Sequence, residues 1–471
     1  NAAGNYSGSS DRGSYNITPE ANRYFIFPQF YNFRYNVFSP DWSIANRLIE
    51  LYMQNNWEGP DRERQTNGIS SSEKANILLE QKTFKDLLAD AEHRKLMNNI
   101  VGLKASQLFA PAELNMGVRA FRDSLYSVLN GYTFRNVQLE SILDTLGKMS
   151  ETDILASMKS WNDPVKLPVY SVGTTELINV NDRGQEFFVL KVPISNNSDY
   201  DGIIQMNLNI ARGREYDPRA DRKIMIPAHR SMQLVSVWDN TPNNITLNTL
   251  ISGNLPNIIR QPVNTAIKRE NRRLREQEED IIMPEDFVEN VLEEVIVDNE
   301  DSTLFSLSKK QVIGLLPKLL DNADDTKFKY SGFSWWWAPR QWTATTNTGY
   351  YGKYIRSAYV VKSVRSRGGS QTATWKIPVP SPGHYELYYY VSKDDYIKNN
   401  RNTYNDAEYR FKVAYGEDIE DAYIRIIRAN EGWEQMGVYY FASDTVKVTL
   451  SNECKLNYVT ADAVKIVKRQ E

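Results

Sequence analysis

The chain has 471 residues, of which 41% are hydrophobic and 24% charged, the balance of an ordinary globular protein with room for roughly three domains. Its formal net charge of -3 and isoelectric point of about 5.9 leave no large basic excess to release counterions, which argues against nucleic acid or an anionic membrane as a dominant partner while leaving a local basic patch open. No apolar run of about 18 residues occurs, so no transmembrane segment is expected, and the single Cys454 excludes an internal disulfide framework.

Residues 1–40 read as a tail and an aromatic docking segment. The first 20 are rich in Gly, Ser and Asn, and Tyr24, Phe25, Phe27, Phe30, Tyr31, Phe33, Tyr35 and Phe38 follow. Asn1 in place of Met fits a processed chain or part of a longer one. Residues 41–162 carry a helical period. Ile44, Leu48, Leu51 and Tyr52 fall on one face, and Ser72 opens a second helix. Further helices are predicted over 83–108, 116–130 and 137–160, punctuated by Pro111 and Gly131.

From 163 to 262 the period becomes two. Strands are predicted at 187–192, 203–210, 222–226, 232–238 and 245–250, the pattern of a small immunoglobulin-like β-sandwich. The mixed-sign run within 263–291 reads as a solvated linker or helix. Residues 292–471 return to strands, with an insertion at about 302–329 and the block Trp335-Trp336-Trp337. The fold class expected is therefore multidomain α+β: a helical domain, then two β-sandwiches.

Catalytic constellations are missing from the pattern. His93, His229 and His384 are far apart in sequence, so the paired imidazoles of a zinc hydrolase are not available. There is no Walker loop, no dinucleotide fingerprint and no nucleophile elbow. Cys454 lies near the end of a predicted strand with no histidine beside it, which favours an inert thiol. No cofactor or metal is expected.

The C-terminal motifs carry a resemblance. They are Tyr351-Gly352-Lys353-Tyr354-Ile355-Arg356-Ser357-Ala358, Ala373-Thr374-Trp375-Lys376-Ile377-Pro378 and Gly383-His384-Tyr385-Glu386-Leu387-Tyr388. Trp433-Glu434-Gln435-Met436-Gly437 and Ala461-Asp462-Ala463-Val464 follow. In this order they resemble the golvesin C-terminal-like, or xanthan-lyase carbohydrate-binding-like, domain. The resemblance implies a non-catalytic, extracytoplasmic β-sandwich. Trp161, Pro168 and Val169 resemble the helix-to-strand junction of gluzincin aminopeptidases, although Lys166 stands where that family has Gly. That likeness would make 41–162 the back half of a peptidase-like domain; any helical domain before any sandwich fits equally. The two halves together resemble the ends of large Bacteroidota envelope proteins, some fused to transporter permeases.

On the strand 385–391, Tyr385, Leu387, Tyr389 and Val391 form one face, and Glu386 marks the other as solvent-facing. Tyr388 and Tyr390 are therefore candidate glycan-stacking residues, with Trp342 as a third, unless a loop covers them. Trp335, Trp336 and Trp337 cannot all point inward from one strand and are candidate interface residues. Asp462, Asp298 and Asn299 read as structural hydrogen-bonding residues. The functional expectation is a scaffold or adhesion segment of an envelope assembly. The alternatives are a glycan-binding module and an accessory part of a peptidase whose zinc half lies elsewhere.

Overall fold

The computed structural model describes residues 35–54, 68–159, 161, 166–210, 220–263, 268–274, 279–284, 294–308, 329–334, 336–365, 369–399, 405–442 and 445–469. The expected docking segment up to residue 34, and Trp335, lie outside the described residues. The chain divides into two compact units, Asn1–Glu58 with Lys74–Lys166, and Gly59–Glu73 with Leu167–Glu471.

The first unit is helical. Among the described residues up to 159 the helices are α1 (Ala45–Gln54), α2 (Ser71–Gln81), whose residues up to Glu73 are counted with the second unit, α3 (Phe84–Ala89), α4 (Met97–Met116), α5 (Val118–Asn130), α6 (Leu139–Ser150) and α7 (Ile154–Lys159). A parallel ribbon pairs β1 (Asn36–Phe38) with β2 (Asn136–Gln138). On α1, Ile49 is buried and Leu51 only half so, which rotates the predicted apolar face slightly. The cap of α2 is Ser70 rather than Ser72. Ser70 N donates to Glu73 Oε2 at 2.7 Å and Glu73 N donates to Ser70 Oγ at 3.2 Å, a reciprocal capping box that satisfies two otherwise orphaned amides.

The helix predicted over 83–108 is two helices, because Asp90 terminates α3. Pro111 does not stop α4; the helix continues to Met116 and ends at Gly117, whose φ of 83° suits glycine. The buried rings of Tyr52, Phe109 and Phe121 cluster in this unit, and Trp161 packs edge-on to Trp42 and Phe84 at 5.1 and 4.9 Å.

In the second unit, all five strands predicted between 187 and 250 are present. One sheet runs β11-β4-β5-β8-β12, with β3 also paired to β5. Its strands are β3 (Tyr170–Val172), β4 (Glu176–Asp182), β5 (Gln185–Asn196), β8 (Arg230–Trp238), β11 (Lys268–Asn271) and β12 (Ile281–Met283). The other runs β10-β9-β6-β7, from β6 (Gly202–Ile210), β7 (Asp221–Ile226), β9 (Pro242–Asn248) and β10 (Ile258–Pro262). Leu190, Val192 and Leu234 of the first sheet share one buried cluster with Ile204, Met206 and Leu247 of the second.

Contrary to the sequence expectation for 263–291, the described residues of the charged run are neither a bare linker nor a helix. β11 pairs in parallel with β4, and β12 pairs antiparallel with β8. The reason is that the sheet's other face carries Ile178, Val180, Val189 and Val235, against which Leu274 packs. Asp280 then takes both Arg222 guanidinium nitrogens at 2.8 Å and Val235 N at 2.8 Å.

Among the described residues three sheets make up the C-terminal part. The first is β13-β24-β18-β21, from β13 (Glu294–Val297), β18 (Gly383–Val391), β21 (Gly432–Phe441) and β24 (Val464–Lys468). The second is β14-β17-β22-β19-β20, from β14 (Phe305–Leu307), β17 (Thr372–Pro378), β19 (Glu408–Tyr415), β20 (Asp418–Arg425) and β22 (Thr445–Ser451). The third is β15-β16-β23, from β15 (Thr343–Thr346), β16 (Ser357–Lys362) and β23 (Tyr458–Ala461). A short helix, α8 (Asp395–Asn399), follows β18. Trp375, Tyr389, Phe411, Val448 and Ile466 from these sheets belong to one buried cluster. No helix among the described residues is long and apolar enough to cross a membrane.

Candidate functional site

The alternation on β18 is as the sequence implies. Tyr385, Leu387, Tyr389 and Val391 are buried, and Glu386, Tyr388 and Tyr390 are half-buried on the opposite face. Cross-strand neighbours cover much of that face. The Tyr390 ring packs against Tyr351 at 5.4 Å and Trp433 at 5.1 Å. Tyr388 donates its hydroxyl to Glu386 Oε2 at 2.5 Å. Lys465 Nζ stands 5.4 Å from the Tyr388 ring and 4.8 Å from the Trp433 ring, held by Glu294 at 3.1 Å. Burial, then Glu386, pushes the Tyr388 phenol up to about 12. Burial raises Tyr390 to about 12 against the opposing effect of Arg356. Tyr388 and Tyr390 therefore share a face, but Tyr390 is not an open platform.

Beneath this layer lies a polar group of structural character. Buried Asp462 accepts Tyr351 N at 3.2 Å on both carboxylate oxygens, and its backbone carbonyl accepts Trp375 Nε1 at 3.1 Å. Burial raises Asp462 well above the carboxylate range, and the nearby Asp298 adds to this. Asp298 is pushed up to about 8 by burial and by Glu300. Asp298 Oδ1 accepts Asn299 N at 2.7 Å. Arg356 Nη1 donates to Tyr350 O at 3.3 Å.

Trp342 does not join Tyr388 and Tyr390. It packs against the hydrophobic cluster, with its indole nitrogen buried and without a hydrogen-bond partner. Trp336 and Trp337 do the opposite: they are 71% and 85% exposed. Trp337 N donates to Ser334 O at 2.8 Å, and Trp336 N reaches Ser334 Oγ at 3.4 Å. The base of this turn is braced. Phe333 packs edge-on to Tyr458 at 5.1 Å, and Phe333, Ala338 and Trp342 all rest on the core. Lys362 N donates to Pro339 O at 2.7 Å, and Gln371 Nε2 donates to Arg340 O at 2.6 Å. Trp336 and Trp337 are thus largely exposed on a turn whose flanks pack into the core. Their adjacency was visible in the sequence; the brace from Phe333, Ala338 and Trp342 was not.

Other reactive groups are occupied. The buried Cys454 thiol is pushed up to about 11 by burial, away from the nucleophilic thiolate. Among the described residues, metal-capable side chains converge at Asp90, Glu92 and His93. There Asp90 already takes Lys82 at 2.6 Å and His93 at 2.9 Å, which hold its carboxyl below the usual range.

No curated protein matches the chain. Among solved structures, a xanthan lyase of Paenibacillus is similar at 15% identity, covering 65% of this chain and 27% of the lyase, with a TM-score of 0.26. Aminopeptidase A of Legionella pneumophila is similar at 19% identity over 38% of this chain and 19% of that one, with a TM-score of 0.20. A β-glucuronidase of Bacteroides uniformis shows 9% identity over 67% of this chain and 32% of that one, with a TM-score of 0.19. This chain thus spans about a quarter of the lyase's length. Residues 319–468, which hold the aromatic turn and both β18 tyrosines, match the family model described as the Golvesin C-terminal domain.

Proposed function

We propose that this chain is a non-catalytic, extracytoplasmic contact segment of a larger bacterial envelope protein or complex. In this reading residues 41–162 are a helical module, 163–262 an immunoglobulin-like sandwich and 292–471 a golvesin-like sandwich that makes the contact. The observation that supports it is the pair Trp336 and Trp337, exposed on a turn whose flanks are packed into the core. Large aromatic side chains held in solvent by a rigid frame mark surfaces that a partner covers. A photo-cross-linking residue at position 337, with Ile419, another exposed apolar position at 68%, as the control, tests this on isolated bacterial envelopes. Adducts from 337 well above those from 419 are expected; equal yields refute the proposal.

A second reading, a glycan-binding module, is favoured by the outer face of β18 and β21. Tyr388 stands half-exposed there, and Tyr440 and Val438 are 53% and 44% exposed. A glycan array with the wild type and the Tyr388→Ala, Tyr440→Ala double variant decides it. Binding lost by the variant supports the reading, and an array with no bound glycan removes it.

A further inference from the structure

Resting on the contact-segment reading, we infer that the Trp336–Trp337 tip docks on the surface of an anionic phospholipid bilayer. Three exposed cations belong to the segments at its base. Arg340 follows Pro339, Lys362 is hydrogen-bonded through its backbone to Pro339, and Arg365 lies three residues beyond Lys362. Arg340, Lys362 and Arg365 are exposed and meet no carboxylate among the described residues. Other exposed cations of this part divide: Arg410 is matched by Glu453, Lys455 by Asp406 and Arg425 by Glu408, whereas Lys376, Lys412 and Lys447 on the second sheet stand without a carboxylate among the described residues.

Indole suits the boundary between headgroups and acyl chains, where its apolar body and polar N–H are both satisfied. Cations placed beside it meet the lipid phosphates. Each cation near the surface adds to the binding, so indoles and cations are expected to act together. A neutral sugar fits less well, because recognition of a sugar needs directed hydrogen bonds. The Gln371 amide instead donates to the Arg340 carbonyl, and the Ser334 hydroxyl accepts the Trp336 amide.

The test is co-sedimentation of the 471-residue chain with vesicles of phosphatidylcholine, either pure or containing about one-third phosphatidylglycerol. The wild type is expected to pellet with the anionic vesicles, less so at about 0.5 M salt, because salt screens the cations. W336A/W337A and R340Q/K362Q are each expected to weaken binding about tenfold or more. Thermal melts matching the wild type show that the exposed substitutions leave the fold intact. Failure of the wild type to pellet, equal binding to neutral vesicles, or wild-type binding by W336A/W337A each overturns the inference. If position 337 still cross-links to an envelope protein while vesicles are ignored, the lipid inference fails and the contact-segment reading stands.

Discussion

Tyr389 and Tyr388 are adjacent on β18, yet removing their rings should have very different consequences. Tyr389 is 1% exposed, its ring lies 5.1 Å from Phe411 and 6.2 Å from Trp375, and its hydroxyl donates to Thr460 O at 2.6 Å. Tyr389→Ala removes a buried aromatic, a loss of about 3–5 kcal/mol, and strands a buried carbonyl for a further ~1–3 kcal/mol. That is most of the roughly 5–15 kcal/mol that holds a domain together. Tyr388→Ala loses a half-exposed ring, its bond to Glu386 and a cation–π contact with Lys465, about 1 kcal/mol in all. For a module of this size, each kcal/mol moves Tm by about 2–4 °C. Melts followed by near-ultraviolet circular dichroism should show the C-terminal transition falling by about 10 °C or more in Tyr389→Ala. It should fall by no more than about 4 °C in Tyr388→Ala. Tyr389→Phe should lie between them. Equal shifts in the two alanine variants would refute the packing argument, and a larger fall in Tyr388→Ala would invert the face assignment.

Asp298, with a folded-state pKa of about 8 against an ordinary 3.8, binds its proton more tightly folded than unfolded. Its contribution is therefore full below about pH 4 and is lost as pH rises toward 8, so denaturation midpoints should fall across that window and Asp298→Asn should flatten the fall. Asp280→Ala breaks the Arg222 clamp and leaves Val235 N without its acceptor; a loss of about 2–4 kcal/mol and faster proteolysis within 268–284 are expected, and unchanged cleavage would refute the docking of β11 and β12. Cys454 should resist thiol reagents in the native chain and react once the chain is denatured, and native reactivity would contradict its burial. The purified chain should bind no stoichiometric zinc, which elemental analysis and chelator-sensitive hydrolysis would reveal.

The faces of β18 were legible because Glu386 breaks the apolar alternation. The cover over Tyr390 was not, because it depends on which β21 residue lies opposite. Register shifts at a bulge between Leu387 and Tyr388, bringing Trp433 opposite Tyr390, and Tyr351 comes from a separate segment. The helical period located the first unit, but Pro111 was a poor guide to its breaks: α4 runs through it and ends at Gly117 instead. In the charged run, composition hid the strands. The few residues that dock it, Leu274 and Asp280, are outnumbered by solvated charges. That at least one of the three adjacent tryptophans faces outward was legible because three in a row cannot all point inward from one strand. That two of them stand on a braced turn required the positions of Phe333, Ala338 and Trp342.

Whether the Trp336–Trp337 turn is the contact surface is decided by pelleting purified wild type and W336A/W337A with isolated bacterial envelopes. Both proteins must first show the same melting temperature. The account predicts that the wild type pellets and the variant stays in the supernatant. Equal retention of the two would contradict it.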